Sequence, residues 1–196
     1  MNIKYIITIF LVILLAQGIL IINDDYTPHY TPLNATQNFF SENSEFISTK
    51  SDSFGNNDLK GAYTLIFFGY TNCPDYCPDT LMKIRSLFKK LEEQNVKKNI
   101  RMLFISVDTK DKVDKIKKYV EYFDDDFIGL ETDKSNLAKL SKRVGVYYKK
   151  IQGDSSIDFY DHTGAIFVTN EDSKLVALYT PPIDINKILE DVLKTF

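Results

Sequence analysis

Two uninterrupted apolar runs, each followed by a stretch of helical periodicity, constrain the fold of this chain more than any other feature. Residues 63–70 (YTLIFFGY) and 100–107 (IRMLFISV) predict buried β-strands. Apolar residues recur at helical spacing, with charges between them, over residues 78–94 and 111–123. A strand that is apolar on both faces must be covered on both faces, so this order predicts a sheet flanked by helices.

The remainder of the chain changes to a pattern dominated by strands. We expect a short strand at residues 127–130, a short helix at 135–143 and a closing helix at 184–196. Between these two helices, turn-like segments separate four further strands, predicted at residues 146–151, 157–160, 165–169 and 175–179. This order indicates an α/β fold with a mixed sheet, and a thioredoxin-like fold has the same order.

The N-terminus carries an apolar segment that predicts a membrane anchor over residues 1–23. Residues 5–22 contain no charge and would extend roughly 27 Å as a helix, close to the thickness of a bilayer core. Lys4 precedes the segment and acidic residues follow it, so the positive-inside rule predicts a cytoplasmic N-terminus and an exported domain. A cleaved signal peptide is the alternative, because Ala16-Gln17-Gly18 offers a cleavage site. The apolar residues continue to Ile22, which favours the uncleaved anchor.

The N-terminal segment predicts an exported domain, and the charge balance argues against nucleic-acid binding. The apolar segment lacks the Arg-rich character of an organelle transit peptide, which favours a single-pass protein of a bacterial inner membrane with a periplasmic C-terminal domain.

Residues 24–45 are interrupted by prolines and predict a spacer, which leaves residues 46–196 as the folded domain. The net charge is −3 and no Lys/Arg patch is present, so we expect no nucleic acid as a partner.

The chain has two cysteines, Cys73 and Cys77, which lie between a predicted strand and a predicted helix. Pro78 suits the first helical position, which would place Cys77 at the N-cap, where free N–H groups stabilise a thiolate. The pair could be inert thiols, a structural disulfide, a redox pair or a metal site. A peroxidase is disfavoured because the nearest arginine in sequence, Arg85, lies on the helix.

The two histidines help to divide the redox and metal alternatives. His29 lies in the predicted spacer, whereas His162 lies at the start of a late strand whose preceding loop faces the cysteine loop in a thioredoxin-like fold. In that fold His162 would approach Cys73 and Cys77. Two thiolates and one imidazole suit Cu(I) and could also hold Cu(II), whereas a structural zinc would need a fourth ligand from Asp161 or water.

The motif FGYTNCPDYCPDTL resembles the signature of the Sco/SenC copper-chaperone family, whose members carry C-P-x-x-C-P between a strand and a helix. ISVD at 105–108, FIGL at 127–130, VGVYYKK at 144–150 and DHTGAIFV at 161–168 are also similar to that family, in the expected order. Here the segment VDTKDKVD lacks a proline that the family often has after VD, and it is a residue shorter.

The resemblance implies a thioredoxin-like fold with an inserted β-hairpin and an N-terminal transmembrane helix. It implies that Cys73, Cys77 and His162 are copper ligands, and that the protein assists assembly of the CuA centre of cytochrome c oxidase subunit II after receiving copper from an upstream donor. Such a chaperone is not an enzyme in the strict sense. The alternative is a thiol–disulfide oxidoreductase that reduces cysteines of subunit II or of another envelope protein.

Overall fold

A computed structural model describes residues 2–10, 26–34, 36–44, 46–96, 99–151 and 158–196. Residues 3–10 are helical, but the remainder of the predicted membrane segment, residues 11–22, lies outside the described residues. Within the described ranges, no helix is both long and apolar enough to cross a membrane.

The order of helices and strands follows the sequence pattern closely. The strands are β1 (Thr31–Pro32), β2 (Ile47–Ser48), β3 (Tyr63–Gly69), β4 (Ile100–Ser106), β5 (Ile128–Glu131), β6 (Tyr148–Ile151), β7 (Phe159–His162), β8 (Ile166–Thr169) and β9 (Leu175–Tyr179). The helices of the domain are α1 (Asn56–Leu59), α2 (Tyr76–Glu93), α3 (Val113–Glu121), α4 (Lys134–Val144) and α5 (Ile185–Thr195).

Seven of these strands form one mixed sheet, in the order β1-β9-β8-β3-β4-β5-β2. The central strands β3, β4 and β5 are parallel, and β8 pairs antiparallel with β3. The strands β6 and β7 form a separate antiparallel hairpin, inserted between α4 and β8. The prediction of a mixed α/β sheet is therefore confirmed, and the hairpin that the family resemblance implied is present.

The core lies on both faces of β3 and β4. In β3, Leu65, Ile66, Phe67 and Phe68 are all fully buried, as an apolar run in a central strand requires. One face is covered by α2, which buries residues at the helical spacing expected from the sequence: Leu81, Ile84, Leu87 and Leu91. Burial of each such side chain contributes about 1.5–3 kcal/mol, so packing fixes where α2 begins relative to the end of β3.

The start of α2 differs from the prediction by two residues. The helix begins at Tyr76 with Asp75 as the N-cap, so Pro78 occupies the third helical position and Cys77 the second. The first intrahelical amide bond is donated by Asp79 to the carbonyl of Asp75, at 3.1 Å. Because the first helical residues need no intrahelical donor, proline is tolerated at the third position as well as at the first.

Much of the predicted spacer contacts the folded domain. Thr31 and Pro32 form the edge strand β1 against β9, and Phe39 and Phe40 are almost fully buried in the core. Prolines and short polar residues in this segment interrupt regular structure, but its aromatic residues provide the burial that holds it in place. The folded domain thus includes described residues well before the expected boundary at residue 46.

A buried carboxylate ties the same segment to the last helix. Asp191 of α5 has no exposed surface and accepts hydrogen bonds from the hydroxyl of Tyr26, the amide of His29 and the hydroxyl of Tyr179. The imidazole of His29, expected in an exposed spacer, pairs with Glu190 at 3.1 Å. Asp191 therefore joins the N-terminal segment, β9 and α5 at one point.

We predict that Asp191→Ala lowers the free energy of unfolding by about 2–3 kcal/mol, because it leaves buried donors without their charged acceptor. Urea unfolding would measure this loss, and amide exchange would show that residues 26–32 open first. Asp172→Ala, which changes an exposed acidic residue of a turn, is the control and should have little effect. Equal stability of the two variants would show that Asp191 does not hold the segment.

Candidate metal centre

Three elements bring together the residues that the sequence singled out. Cys73 lies in the loop that follows β3, Cys77 lies in the first turn of α2, and His162 is the last residue of β7. Their two sulfur atoms and one imidazole nitrogen all lie within 4.8 Å of one another. Among the described residues, this is the group of histidine, cysteine and acidic side chains whose spacing suits a metal ion.

The sulfur of Cys73 takes the place of a helix cap. The side chain of the N-cap residue Asp75 makes no capping hydrogen bond, and the amide of Cys77 instead donates to Cys73 Sγ at 3.3 Å. The amide of Cys73 donates to the carbonyl of Tyr70 at 3.2 Å, which closes the loop. A free N–H group at a helix N-terminus favours negative charge, so the helix start stabilises a thiolate at Cys73.

Cys77 is fully buried beside the end of β3, whereas Cys73 is partly exposed. Gly69 makes this close approach possible. A Cβ atom at Gly69 would lie 3.0 Å from Cys77 Sγ and 2.8 Å from the ring of Phe104, both too close for an unstrained contact. The two thiols thus differ strongly in solvent access although they are four residues apart.

The imidazole of His162 is oriented by its second nitrogen. Nδ1 lies 3.2 Å from the carbonyl oxygen of Thr163, so it carries the proton and donates. Nε2 then presents its lone pair to Cys77 Sγ at 3.6 Å. Hydrogen bonding of the other ring nitrogen to a carbonyl is the usual way in which a metal-binding histidine is held.

Aromatic rings surround the imidazole on several sides. The rings of Phe67, Tyr70 and Tyr76 lie edge-on to His162, with centroids 5.9–6.4 Å away. The hydroxyl of Tyr76 donates to the carbonyl of Gly164 at 2.6 Å. A Cβ atom at Gly164 would overlap Tyr76, so this glycine allows the ring to close over the chain that follows His162. These rings give the imidazole a largely aromatic surrounding.

A hydrogen bond between the two thiols shifts their pKa values in opposite directions. The hydrogen bond from the Cys77 thiol lowers the pKa of Cys73 to about 4, although partial burial acts in the opposite direction. The same hydrogen bond, together with burial, raises the pKa of Cys77 well above its ordinary value. The pair therefore loses its first proton readily and holds its second, so Cys73 is a thiolate at neutral pH.

The acidic residues near the motif make contacts of three different kinds. Asp108 accepts a hydrogen bond from Tyr160 of β7, whereas Asp161 is exposed and lies in the β6–β7 ladder opposite Lys149. Asp79 pairs with Lys83 along the exposed face of α2, at 2.8 Å.

Sequence reasoning missed Asp111, which is fully buried and accepts hydrogen bonds from the amide and the hydroxyl of Thr71. A signal was present in the sequence, because Asp111 follows the end of a buried strand and opens the next predicted helix. The burial of its carboxylate depends on Thr71, 40 residues earlier in the chain, and no local pattern links the two.

Comparison with known proteins gives one consistent result. The model of the SCO1/SenC family matches residues 34–196. The chain is 30% identical over 138 residues to mitochondrial SCO1 homolog 1 of Arabidopsis thaliana, which covers 70% of this chain and 41% of that protein. It is 30% identical over 152 residues to a SCO2-like protein of Rickettsia felis, which covers 73% of each.

The solved structure of Arabidopsis thaliana ScoI with copper bound is similar in fold, with a TM-score of 0.72 and 27% sequence identity. The match covers 85% of this chain and 96% of that one. The chain spans about half the length of the first curated relatives it matches, at 41% for the Arabidopsis protein and 54% for a mitochondrial SCO2 homolog of Mus musculus.

We predict that a pH titration of the reduced protein reveals a single thiolate that forms with a midpoint near 4, followed by Cys77 only at strongly alkaline pH. Cys77→Ala should raise that midpoint, because the mutation removes the largest stabilising hydrogen bond to the Cys73 sulfur. The ultraviolet absorbance of the thiolate and the pH dependence of alkylation would measure this. Titration of Cys73 at an ordinary thiol pKa of about 8.5 would contradict the assignment.

Proposed function

The chain belongs to the SCO1/SenC family, and from that premise we propose that it is a copper chaperone. Its cargo would be one copper ion, held by the sulfur atoms of Cys73 and Cys77 and by Nε2 of His162. The observation that carries the proposal is the convergence of these three atoms within 4.8 Å.

The chemistry of the donor set supports copper over other metals. Two thiolates and an imidazole are soft or borderline ligands, which suit Cu(I) and can also hold Cu(II). A structural zinc would need a fourth ligand, either from water or from Asp161, which is exposed on the hairpin. Copper is also bound in the Arabidopsis ScoI structure to which this chain is similar.

Loading and release would proceed by ligand exchange, with no covalent bond of a substrate made or broken. Cys73, already a thiolate and partly exposed, would meet the incoming ion first. Cys77 would bind next and release its proton, and the lone pair of His162 Nε2 would complete the site. An acceptor would remove the ion in the reverse order, beginning with the ligand that moves most easily.

We assign the acceptor, by analogy with the family, to the CuA centre of cytochrome c oxidase subunit II, with an upstream protein supplying copper. The apolar segment 5–22 would anchor the chain in a bacterial inner membrane and keep the domain in the periplasm. The contacts of residues 26–32 with β9 and α5 support a short tether, because the chain meets the domain soon after the apolar segment ends.

We predict that His162→Ala lowers copper affinity by more than about 100-fold, since even loss of the outer partners of metal ligands commonly lowers affinity 10–100-fold. Competition with a chromophoric chelator would measure it, and thiol titration would show that both cysteines remain available. Tyr147→Phe, an exposed residue beside the hairpin, is the matched control. Wild-type copper affinity in His162→Ala would remove the imidazole from the ligand set.

A second candidate function, thiol–disulfide exchange, is favoured by the asymmetry of the two cysteines. The Cys73 thiolate would attack a partner disulfide, form a mixed disulfide and release one partner thiolate. Cys77 would then lose its proton and attack the Cys73 sulfur, which forms the Cys73–Cys77 disulfide and releases the second partner thiol. The partner is reduced and this protein oxidised, and copper loading would require reduction of the pair afterwards.

We predict that Cys77→Ser accumulates a mixed disulfide with an oxidised peptide that contains a disulfide, and that Cys73→Ser does not. The reason is that Cys73 is the accessible thiolate and Cys77 the buried resolving group. Mass spectrometry of the trapped species would test this. If Cys73→Ser alone formed the mixed disulfide, Cys77 would be the attacking residue. If neither variant formed it, the copper-chaperone function alone would be favoured.

A further inference from the structure

The loop between β4 and α3, residues 107–112, lies against both parts of the candidate metal centre. The cysteine loop follows β3 and the imidazole ends the separate hairpin, so the centre is divided between two elements of different sheets. Its geometry depends on whatever fixes the hairpin relative to the cysteine loop. The β4–α3 loop contacts each of them through a different buried carboxylate.

Asp111 holds the cysteine loop. Its carboxylate is fully buried and accepts the amide of Thr71 at 2.8 Å and the hydroxyl of Thr71 at 2.5 Å. Ser106 and Lys115 also donate to it, at 2.8 and 2.9 Å. Thr71 lies two residues before Cys73, so the carboxylate fixes the start of the loop whose sulfur caps α2.

Asp108 holds the hairpin. It is almost fully buried, and its Oδ1 accepts the amide of Lys110 at 2.9 Å and the hydroxyl of Tyr160 at 3.1 Å. Tyr160 lies two residues before His162 in β7, so both side chains project from the same face of that strand. Lys110 adds a second link by pairing with Asp158 of the hairpin, at 2.7 Å.

Ser106, the last residue of β4, links Asp111 to the backbone of Asp108. The hydroxyl of Ser106 donates to Asp111, and the amide of Asp108 donates to the oxygen of Ser106 at 3.2 Å. The ring of Tyr160 also packs against that of Tyr70, with centroids 5.3 Å apart, and Tyr70 contacts the imidazole of His162. The loop, the cysteine segment and the hairpin therefore form one connected set of contacts.

We propose that the β4–α3 loop positions both parts of the centre. Asp111 positions the thiols through Thr71, and Asp108 positions the imidazole through Tyr160. These two contacts act on different ligands, so each can be broken without the other. Breaking the Asp108–Tyr160 bond loosens the hairpin and weakens the hold on the imidazole, while the two thiols stay in place. Of the measurements that test this proposal, only the copper affinity rests on the proposed function.

This assignment explains why the imidazole can be fixed without belonging to the main sheet. A two-stranded hairpin is marginally stable by itself and needs packing or side-chain contacts to hold one position. The bond from Tyr160 ends on a buried carboxylate, and hydrogen bonds to charged groups are stronger than those between neutral groups. The Lys110–Asp158 pair involves an exposed lysine and contributes less, because water and salt screen it.

The test compares two conservative variants in the apo protein. Tyr160→Phe removes the hydroxyl but keeps the ring that packs on Tyr70, and Thr71→Val removes one donor to Asp111 but keeps the amide bond. We expect Tyr160→Phe to increase amide exchange of residues 158–162 about 10-fold and to broaden the His162 imidazole resonances, with unchanged Cys73 alkylation. Thr71→Val should change Cys73 alkylation and leave hairpin exchange unchanged.

With copper, Tyr160→Phe should lower affinity about 10-fold and weaken the spectroscopic signature of the imidazole ligand. Asp108→Asn, which keeps an oxygen acceptor, should retain most of the wild-type hairpin protection, whereas Asp108→Ala should not. Tyr147→Phe is again the control. The proposal would be overturned if amide exchange of the hairpin in Tyr160→Phe equalled that of the wild type. It would also be overturned if both variants changed hairpin exchange and Cys73 alkylation equally. Failure of the wild type to bind copper would refute the proposed function, but the apo measurements would still decide the role of the loop.

Discussion

The hydrogen bond from the amide of Cys77 to the sulfur of Cys73 connects the start of α2 to the chemistry of the site. Ser, Thr, Asp and Asn are the side chains that preferentially accept such a bond at a helix start. Here a sulfur atom accepts it, while the side chain of Asp75 makes no cap. The same bond that begins the helix therefore stabilises negative charge on the exposed thiol and holds the two sulfur atoms close together.

Burial then makes the two thiols different. Cys77 points from the first turn of α2 into the core against β3, in space that the missing side chain of Gly69 leaves. Cys73 stays in the loop, partly exposed. Copper exchange and disulfide exchange both need this asymmetry, because each begins at an accessible thiolate and continues to a protected thiol. One local arrangement would thus serve either of the two proposed functions.

The sequence predicted the order and type of the main elements with errors of a few residues at their ends. This succeeded because β3, β4 and α2 are long and strongly patterned, so burial and local propensity agree. The sequence predicted the structure less well where contacts between distant residues decide it. Residues 26–44 have the composition of a spacer, yet Phe39, Phe40 and the donors to Asp191 hold the described part of this segment on the domain. The edge strands β1 and β2, each two residues long, leave no periodic signal.

By itself, the sequence indicated three candidate ligands, because two cysteines lie at a predicted strand-to-helix turn and the family resemblance matches His162 as the third. The tertiary structure alone decided that His29 pairs with Glu190, and that Nε2 of His162 faces the Cys77 sulfur. It also decided that Asp111 and Asp108 contact Thr71 and Tyr160. The physical reason is that residue types and local periodicity are written along the chain, whereas hydrogen bonds between residues 40 or 52 positions apart exist only once packing brings their elements together.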